Sequence, residues 1–450
     1  MDNTGLTTDQ LQTRDHISVD FRQPDEELVA SIMEEIETIS YSHSIGRVKG
    51  SLRETNGNIF DPDKVSIGPY HHDDEGLKSM EDQKWRYVYA LLNRKLNLEA
   101  SLNECVTALR EVEHRARACY EDRGDIDLSS NKFLKMMLAD GCFIIELFLR
   151  YSVKSLRRRN DPIFTTPGML ADLMNNLILL ENQIPLFILQ RLFQVVPIPK
   201  QCTYSLPELA FRFFRNIIPG DPKINQEKFN QEAHHLLDII CHCLLPTYPI
   251  VRQQQPKSEN KYLPSATELQ TAGIKIKVAR TDNLLDIKFT NGILEIPPIV
   301  VHRFTRKLFR NLIALEHCSS DSIQYVTSYA IFMKDLIRED KDVKLLQKRF
   351  ILTSYPATRK DVNKLFEVLC KGVDVIEFYY EGLCAQVNGY KGRSWHKKIN
   401  FCPKLFPSKN NPRLRLLLLA TMLVVLLVLV VVGWCSLFFS PAMRISLNST

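Results

Sequence analysis

Hydrophobic residues recur at helical spacing along most of the chain. After Pro24-Asp25-Glu26-Glu27, a proline-and-acid opening suited to a helix N-terminus, Leu28, Ile32, Ile36 and Ile39 form an apolar stripe. Leu77, Met80, Lys84, Tyr87 and Leu91 begin a longer amphipathic helix, its face widened by Trp85, Val88 and Leu92. Leu98 to Arg117 continues in charged, helix-favouring residues. Phe133 to Tyr151 is strongly apolar and is predicted to lie at the centre of the core. Leu170 to Phe193 is a further apolar stretch, which Pro185 should kink or split. Helices are also predicted over Arg303 to His317, Ser322 to Ile337 and Val362 to Cys370.

Strand periodicity is sparse. Ile274 to Val278 alternates, and Leu285–Phe289 and Ile293–Ile296 flank Thr290-Asn291-Gly292, whose Asn-Gly pair predicts a hairpin turn. Pro297-Pro298 should stop the second strand, and the polar run Gln253 to Lys261 reads as an internal loop. No internal repeat is visible. The expected fold is mainly α: a large helical domain over residues 25–410 carrying a small β-hairpin element, after a flexible N-terminal tail over residues 1–24.

One segment breaks the amphipathic pattern. From Leu416 to Phe439 no charge interrupts the apolar run. At ~1.5 Å per residue such a helix spans ~36 Å, enough for a ~30 Å hydrocarbon core with some tilt. The expectation is one C-terminal transmembrane helix, with Trp434 near its distal interface and a short tail over residues 440–450. Lys404, Lys409, Arg413 and Arg415 precede the run, whereas Arg444 alone follows it, so the bulk of the chain is expected in the cytosol. The one Asn-x-Ser/Thr sequon, Asn448-Ser449-Thr450, lies in the short tail.

Composition changes this picture little. The 450 residues carry a net charge of +6 with 45% hydrophobic and 24% charged residues, ordinary for a folded domain and too weakly basic to argue for nucleic acid. The 11 cysteines are scattered and odd in number, with no Cys-x-x-Cys pair, as expected of reduced thiols in a cytosolic domain. Met1 to Asp20 is polar, unlike a signal peptide.

Candidate chemistry is thin. His71-His72-Asp73-Asp74 follows the turn Gly68-Pro69 and offers imidazole and carboxylate for metal binding or acid–base work, with a structural or partner-facing loop as the competing reading. His234, His235, Cys241, His242 and Cys243 are metal-ligand types, but His235 and His242 would stand two turns apart, ~10.5 Å, too far for one zinc. Arg157-Arg158-Arg159 reads as a solvated helix end. The chain contains no GxSxG, GxxxxGK[ST] or HExxH pattern. No catalytic, cofactor or metal residues are therefore assigned.

A set of ordered blocks resembles the plant "domain of unknown function 247" family. They run Val65-Ser66-Ile67-Gly68-Pro69-Tyr70-His71-His72 with Leu77, Met80, Glu81 and Lys84; Asp140-Gly141-Cys142 to Glu146-Leu147-Phe148; Leu179-Leu180-Glu181-Asn182-Gln183-Ile184-Pro185; Ser265 to Leu269 around Glu268; Leu284 to Ile287; and Leu308-Phe309-Arg310-Asn311 to Glu316. One departure is Lys49 after Ile45-Gly46-Arg47-Val48, where the family usually has proline. The resemblance implies a plant source, a large helical domain and a C-terminal anchor, and it brings no established catalytic residues. Some grass members are associated with self-incompatibility loci, which implies recognition. The expected function is a membrane-anchored, non-enzymatic interaction protein in contact with membrane lipid and a protein partner. The alternative is an enzyme using His71, His72 and Asp74. Glu181 and Asn182 are expected to satisfy the backbone break beside Pro185.

Overall fold

Most of the helices that the apolar spacing predicts form, and side chains cap several of them. The structure, a computed structural model, describes residues 45–55, 57–121, 128–220, 226–229, 233–247, 262–281, 283–318, 323–354 and 362–390. It also describes residues 28, 29, 31, 32 and 36, and residues 423, 426, 427 and 430. Helix α1 (Glu81–Leu92) follows a 3-10 turn over Glu75–Met80 and opens with Glu81 and Asp82 against its macrodipole. It buries Lys84, Tyr87, Val88, Leu91 and Leu92, while Trp85 stays exposed under the Lys135 ammonium. Helix α2 (Leu98–Arg110) is capped by Asn97, whose side chain accepts from Ala100 N–H, and a break at Glu111-Val112 separates it from α3 (Glu113–Ala118).

Helix α4 (Ser130–Ser152) is buried continuously from Met136 to Arg150, because neighbours cover it on every side. Helices α1, α2, α6 (Leu186–Val195) and α7 (Leu206–Phe214) all pack on it. Gly141 permits the crossing with α6: a Cβ there would sit 2.3 Å from Leu192 Cδ1. Ser205 and Glu208 form a reciprocal capping box on α7, which carries Phe214 edge-on and Phe213 tilted against Phe148. Between α5 (Met169–Leu177) and α6 the chain runs irregularly from Ile178 to Pro185, so Pro185 ends a split rather than a kink.

The second half begins with α8 (Leu236–Leu244) and α9 (Ala266–Thr271), the latter closed by a Ser265/Glu268 capping box. Strands β2 (Lys288–Thr290) and β3 (Ile293–Ile296) pair antiparallel across Asn291 and Gly292, both at positive φ (51° and 79°), the conformation that an Asn-Gly hairpin turn requires. Strand β1 (Lys275–Val278) joins β3 in parallel, giving the order β1-β3-β2. Beyond Pro297-Pro298, β4 (Ile299–Val301) pairs in parallel with β5 (Leu352–Ser354), a second small sheet that local periodicity did not reveal. Helices α10 (Thr305–Cys318), α11 (Tyr325–Leu336) and α13 (Val362–Leu369) pack together, and α12 (Asp340–Lys348) lies on α9.

Two far-separated segments meet at the edge of this second cluster. Ser51 Oγ donates to Gly372 O at 3.0 Å, and the buried Arg310 guanidinium donates to Leu369 O (2.6 Å), Lys371 O (3.1 Å) and Leu52 O (3.4 Å). Burial pulls the Arg310 guanidinium down to about 10, since carbonyls replace the carboxylate that usually accompanies a buried arginine.

Among the described cysteines none is in a disulfide. The predicted stripe of Leu28, Ile32 and Ile36 is helical and exposed, and Ile39 lies outside the described residues, as does Gln253 to Lys261. Among the described residues no helix is long and apolar enough to cross a membrane. The predicted span Leu416 to Phe439 lies outside them except for Leu423, Leu426, Leu427 and Val430, which are helical and 53–64% exposed.

Candidate functional site

The segment Asp63–His72 carries no regular ladder, so its backbone groups need partners from elsewhere. Side chains of the α4–α6 region supply them. Asn176 Oδ1 accepts from Asp63, Lys64 and Val65 N–H at 3.0, 3.0 and 3.3 Å. Asn182 acts like a neighbouring strand, its Oδ1 accepting from Ile67 N–H (2.7 Å) and its Nδ2 donating to Val65 O (3.0 Å). Asp140 Oδ2 takes the next amide, Gly68 N–H, at 2.8 Å. Tyr70 Oη donates to Ile45 O, and Tyr120 Oη donates to Gln183 O.

Gly68 is required here. Its φ is 78°, and a Cβ would lie 2.3 Å from Gln183 O, a backbone atom that cannot rotate away. Gly68→Ala is expected to destabilise the fold by about 2–4 kcal/mol, combining left-handed strain with overpacking. A urea unfolding midpoint within error of the parent would contradict this.

The 3-10 turn Pro69–His71 then delivers His71 Nε2 to 3.4 Å from Glu181 Oε2. Glu181 is 1% exposed; its Oε1 accepts from Val48 N–H at 2.8 Å and stands 3.7 Å from Arg53 Nη1. Arg53 Nη2 in turn reaches Asp61 Oδ1 at 2.5 Å. Asp61, His71 and Glu181 thus each present a ligand-type atom within 4.8 Å of the other two. The other members of the predicted loop do not join them. Asp73 and Asp74 are exposed, and Asp74 caps the following turn by accepting from Gly76 N–H.

Glu181 therefore departs from its predicted role. The carbonyls freed between α5 and α6 are taken by Gln183 Nε2, which donates to Leu177 O and Leu179 O, and by Asn182 Nδ2, which donates to Asn176 O. Asn311 Oδ1 accepts from Leu180 N–H. Glu181 instead reaches across the sequence to Val48. Arg53 and Asp61 escaped the sequence reading because neither shares a short motif with His71. Only the buried Glu181 joins them.

Other predicted residues stand in ion pairs and helix caps. Lys84 bridges Asp140 and Glu81, at 2.6 Å each. Burial alone would pull the Lys84 ammonium down, but the two carboxylates outweigh it and hold its pKa above the ordinary lysine value. Glu146 pairs with Arg94 and Arg150, and Arg150 continues to Asp161, which accepts from Tyr87 Oη. His235 caps α8, and Asp238 stands between His234 (3.0 Å) and His242 (3.5 Å). Arg157 donates to Arg150 O and Tyr151 O at the end of α4, as a helix-end cation should, with Arg158 and Arg159 exposed.

A cleft of about 440 Å³ opens elsewhere, between residues 216–220, the Pro297-Pro298 corner and α10. None of His71, His72 and Asp74 lines it.

Glu316 on α10 is buried and accepts from Val326 N–H, Thr327 N–H and Thr327 Oγ1 at the start of α11. Burial pushes its carboxyl up to about 7, against those hydrogen bonds. The unfolded value is about 4.3, so the native state binds the extra proton between these limits. Stability should fall as pH rises from about 4.5 to 7, by up to about 3 kcal/mol, and Glu316→Gln should flatten that slope. Urea titrations of both proteins from pH 5 to 8 test this; parallel profiles would refute it.

The sequence pattern of a family described as "plant protein of unknown function" (DUF247) matches residues 45–428. The chain is 29% identical over 379 residues to "UPF0481 protein At3g47200" of Arabidopsis thaliana, covering 79% of this chain and 78% of that protein. It is 22% identical over 465 residues to "Putative UPF0481 protein At3g02645" of the same plant, covering 82% and 85% respectively. No solved structure matches it.

Proposed function

The chain belongs to the plant protein family DUF247, of unknown function, and on that premise we propose that it is a membrane-anchored interaction protein without enzymatic activity. Its helical body is presented on the cytosolic side for recognition by a protein partner. The observation that carries this reading is the charge-free run Leu416–Phe439. Its described residues Leu423, Leu426, Leu427 and Val430 are helical and stand more than half exposed. An apolar helix that the domain does not cover is favourable in lipid and costly in water. The basic residues Lys404, Lys409, Arg413 and Arg415 on its N-terminal side support the orientation.

The residues shared with the family blocks support a scaffold role. Asp140, Asn182, Gln183 and Asn311 are turned inward onto backbone groups, and Lys84, Glu146 and Arg310 are buried with partners. The enzyme alternative needs His71, His72 and Asp74 converging on one cavity, whereas Asp74 is exposed and caps its own turn. Alkaline carbonate washing of plant membranes should leave the chain in the pellet. Protease added to sealed vesicles should digest the helical body. Release into the supernatant, or protection of the body, would reject the anchor or the orientation respectively. Proximity labelling from the N-terminus should mark a recurrent membrane-associated protein partner; labelling no different from a bare-anchor control would reject the recognition role.

A further inference from the structure

We propose that Asp61, His71 and Glu181 form a divalent-cation site of the zinc type, which clips the N-terminal segment to the α5–α6 junction. The site is independent of the docking role proposed above.

The geometry begins with His71 and Glu181. Both His71 Nε2 and Glu181 Oε2 are buried, and neither has a hydrogen-bond partner, although they face each other at 3.4 Å. Two ligands bound ~2.0–2.1 Å from one zinc ion at the tetrahedral angle stand about 3.4 Å apart. The pair is therefore already spaced as one edge of a coordination tetrahedron. Asp61 supplies a third ligand atom within 4.8 Å of the others, so a side-chain adjustment of about 1–1.5 Å completes a three-ligand set. Imidazole with two carboxylates suits zinc-like ions. A backbone group also orients the carboxylate. Val48 N–H holds Glu181 Oε1 at 2.8 Å and fixes the carboxylate so that Oε2 turns toward His71.

Arg53 is the competitor. Its guanidinium spans Asp61 and Glu181, at 2.5 and 3.7 Å, and its side chain is one-third exposed, so it can turn to solvent when a cation enters. Arg53 is the cation in contact with both carboxylates, with the Lys307 ammonium acting on Asp61 from farther off, so an entering divalent ion competes directly with the Arg53 guanidinium. Removing Arg53 should therefore strengthen metal binding, the opposite of what loss of a purely structural ion pair would do.

The test uses full-length protein, purified in detergent and stripped with a chelator. It is titrated with zinc against a fluorescent zinc chelator, with metal content read by elemental analysis. Wild type should take up one equivalent. Because Glu181 also holds the Val48 amide, the test rests on Asp61→Asn and His71→Ala, each expected to weaken binding roughly hundredfold or more. His72→Gln should bind as wild type, and Arg53→Met should bind about tenfold more tightly. Failure of wild type to take up stoichiometric zinc would reduce His71–Glu181 to a plain ion pair and overturn the proposal. Uptake that survives both Asp61→Asn and His71→Ala would place the metal elsewhere and overturn it equally.

Discussion

Lys84→Ala is expected to lower the unfolding free energy by about 3–5 kcal/mol. Lys84 is 0% exposed and Asp140 1%, and they meet at 2.6 Å. Removing the ammonium strands the Asp140 carboxylate in the core, next to α4's apolar residues, where an ionised group has no water to compensate it. Glu81 suffers less, because its partly exposed side chain can turn outward. The sign of the effect separates an ion-pair requirement from mere packing. In a Lys84→Met/Asp140→Asn double variant no charge is left buried, and the new amide oxygen can still accept from Gly68 N–H. That double variant should lose less stability than Lys84→Ala alone. Urea unfolding of the three proteins decides the matter. A loss under 1 kcal/mol for Lys84→Ala, or a double variant worse than the single one, would show that the pair is not what holds this region.

Asn182→Ala is expected to cost on the order of 4 kcal/mol. The side chain makes three buried hydrogen bonds, accepting from Ile67 N–H and donating to Val65 O and Asn176 O. Each backbone group left without a partner costs about 1–3 kcal/mol, and partial relaxation keeps the sum below the full total. The damage should be local at first. Hydrogen exchange should accelerate at Ile67 and its neighbours well before it does in α4, because the 63–68 segment has no ladder of its own. Asn182→Asp keeps the Ile67 acceptor but sets a carboxylate oxygen against the Val65 and Asn176 carbonyls at a fully buried position, so it should be at least as destabilising as alanine. Unchanged exchange at Ile67 in the alanine variant would refute this account.

The helices and the hairpin were legible because their signals are local. Phe133 to Tyr151 announced a buried helix by composition, and Asn291-Gly292 announced its turn because this pair readily takes two successive positive φ values. The second sheet was not legible. Ile299–Val301 and Leu352–Ser354 are three residues each and more than fifty positions apart, too short to show a period. Helix α12 was also missed, since its polar face hides the apolar pair Val343 and Leu346. The candidate site was half legible. His71 and Glu181 both stood out, but nothing in the sequence placed them against each other. Glu181 looked like a local cap, because a carboxylate beside a proline break has a local use to hand. Gln183 and Asn182 satisfy that break instead, which frees Glu181 to reach the N-terminal segment.

The meeting of Ser51 with Gly372, 321 positions away, sets a timetable for the newborn chain. At about 5–20 residues per second, a ribosome needs roughly 15–65 s to make that intervening stretch. Through that interval the beginning of the domain has been translated but its final carbonyl partners have not. The carbonyl that Leu52 offers to Arg310 waits for 258 positions in the same way. Val48 and Ile67 can settle on Glu181 and Asn182 much earlier, but the Ser51–Leu52 contacts close only after almost the whole body has emerged.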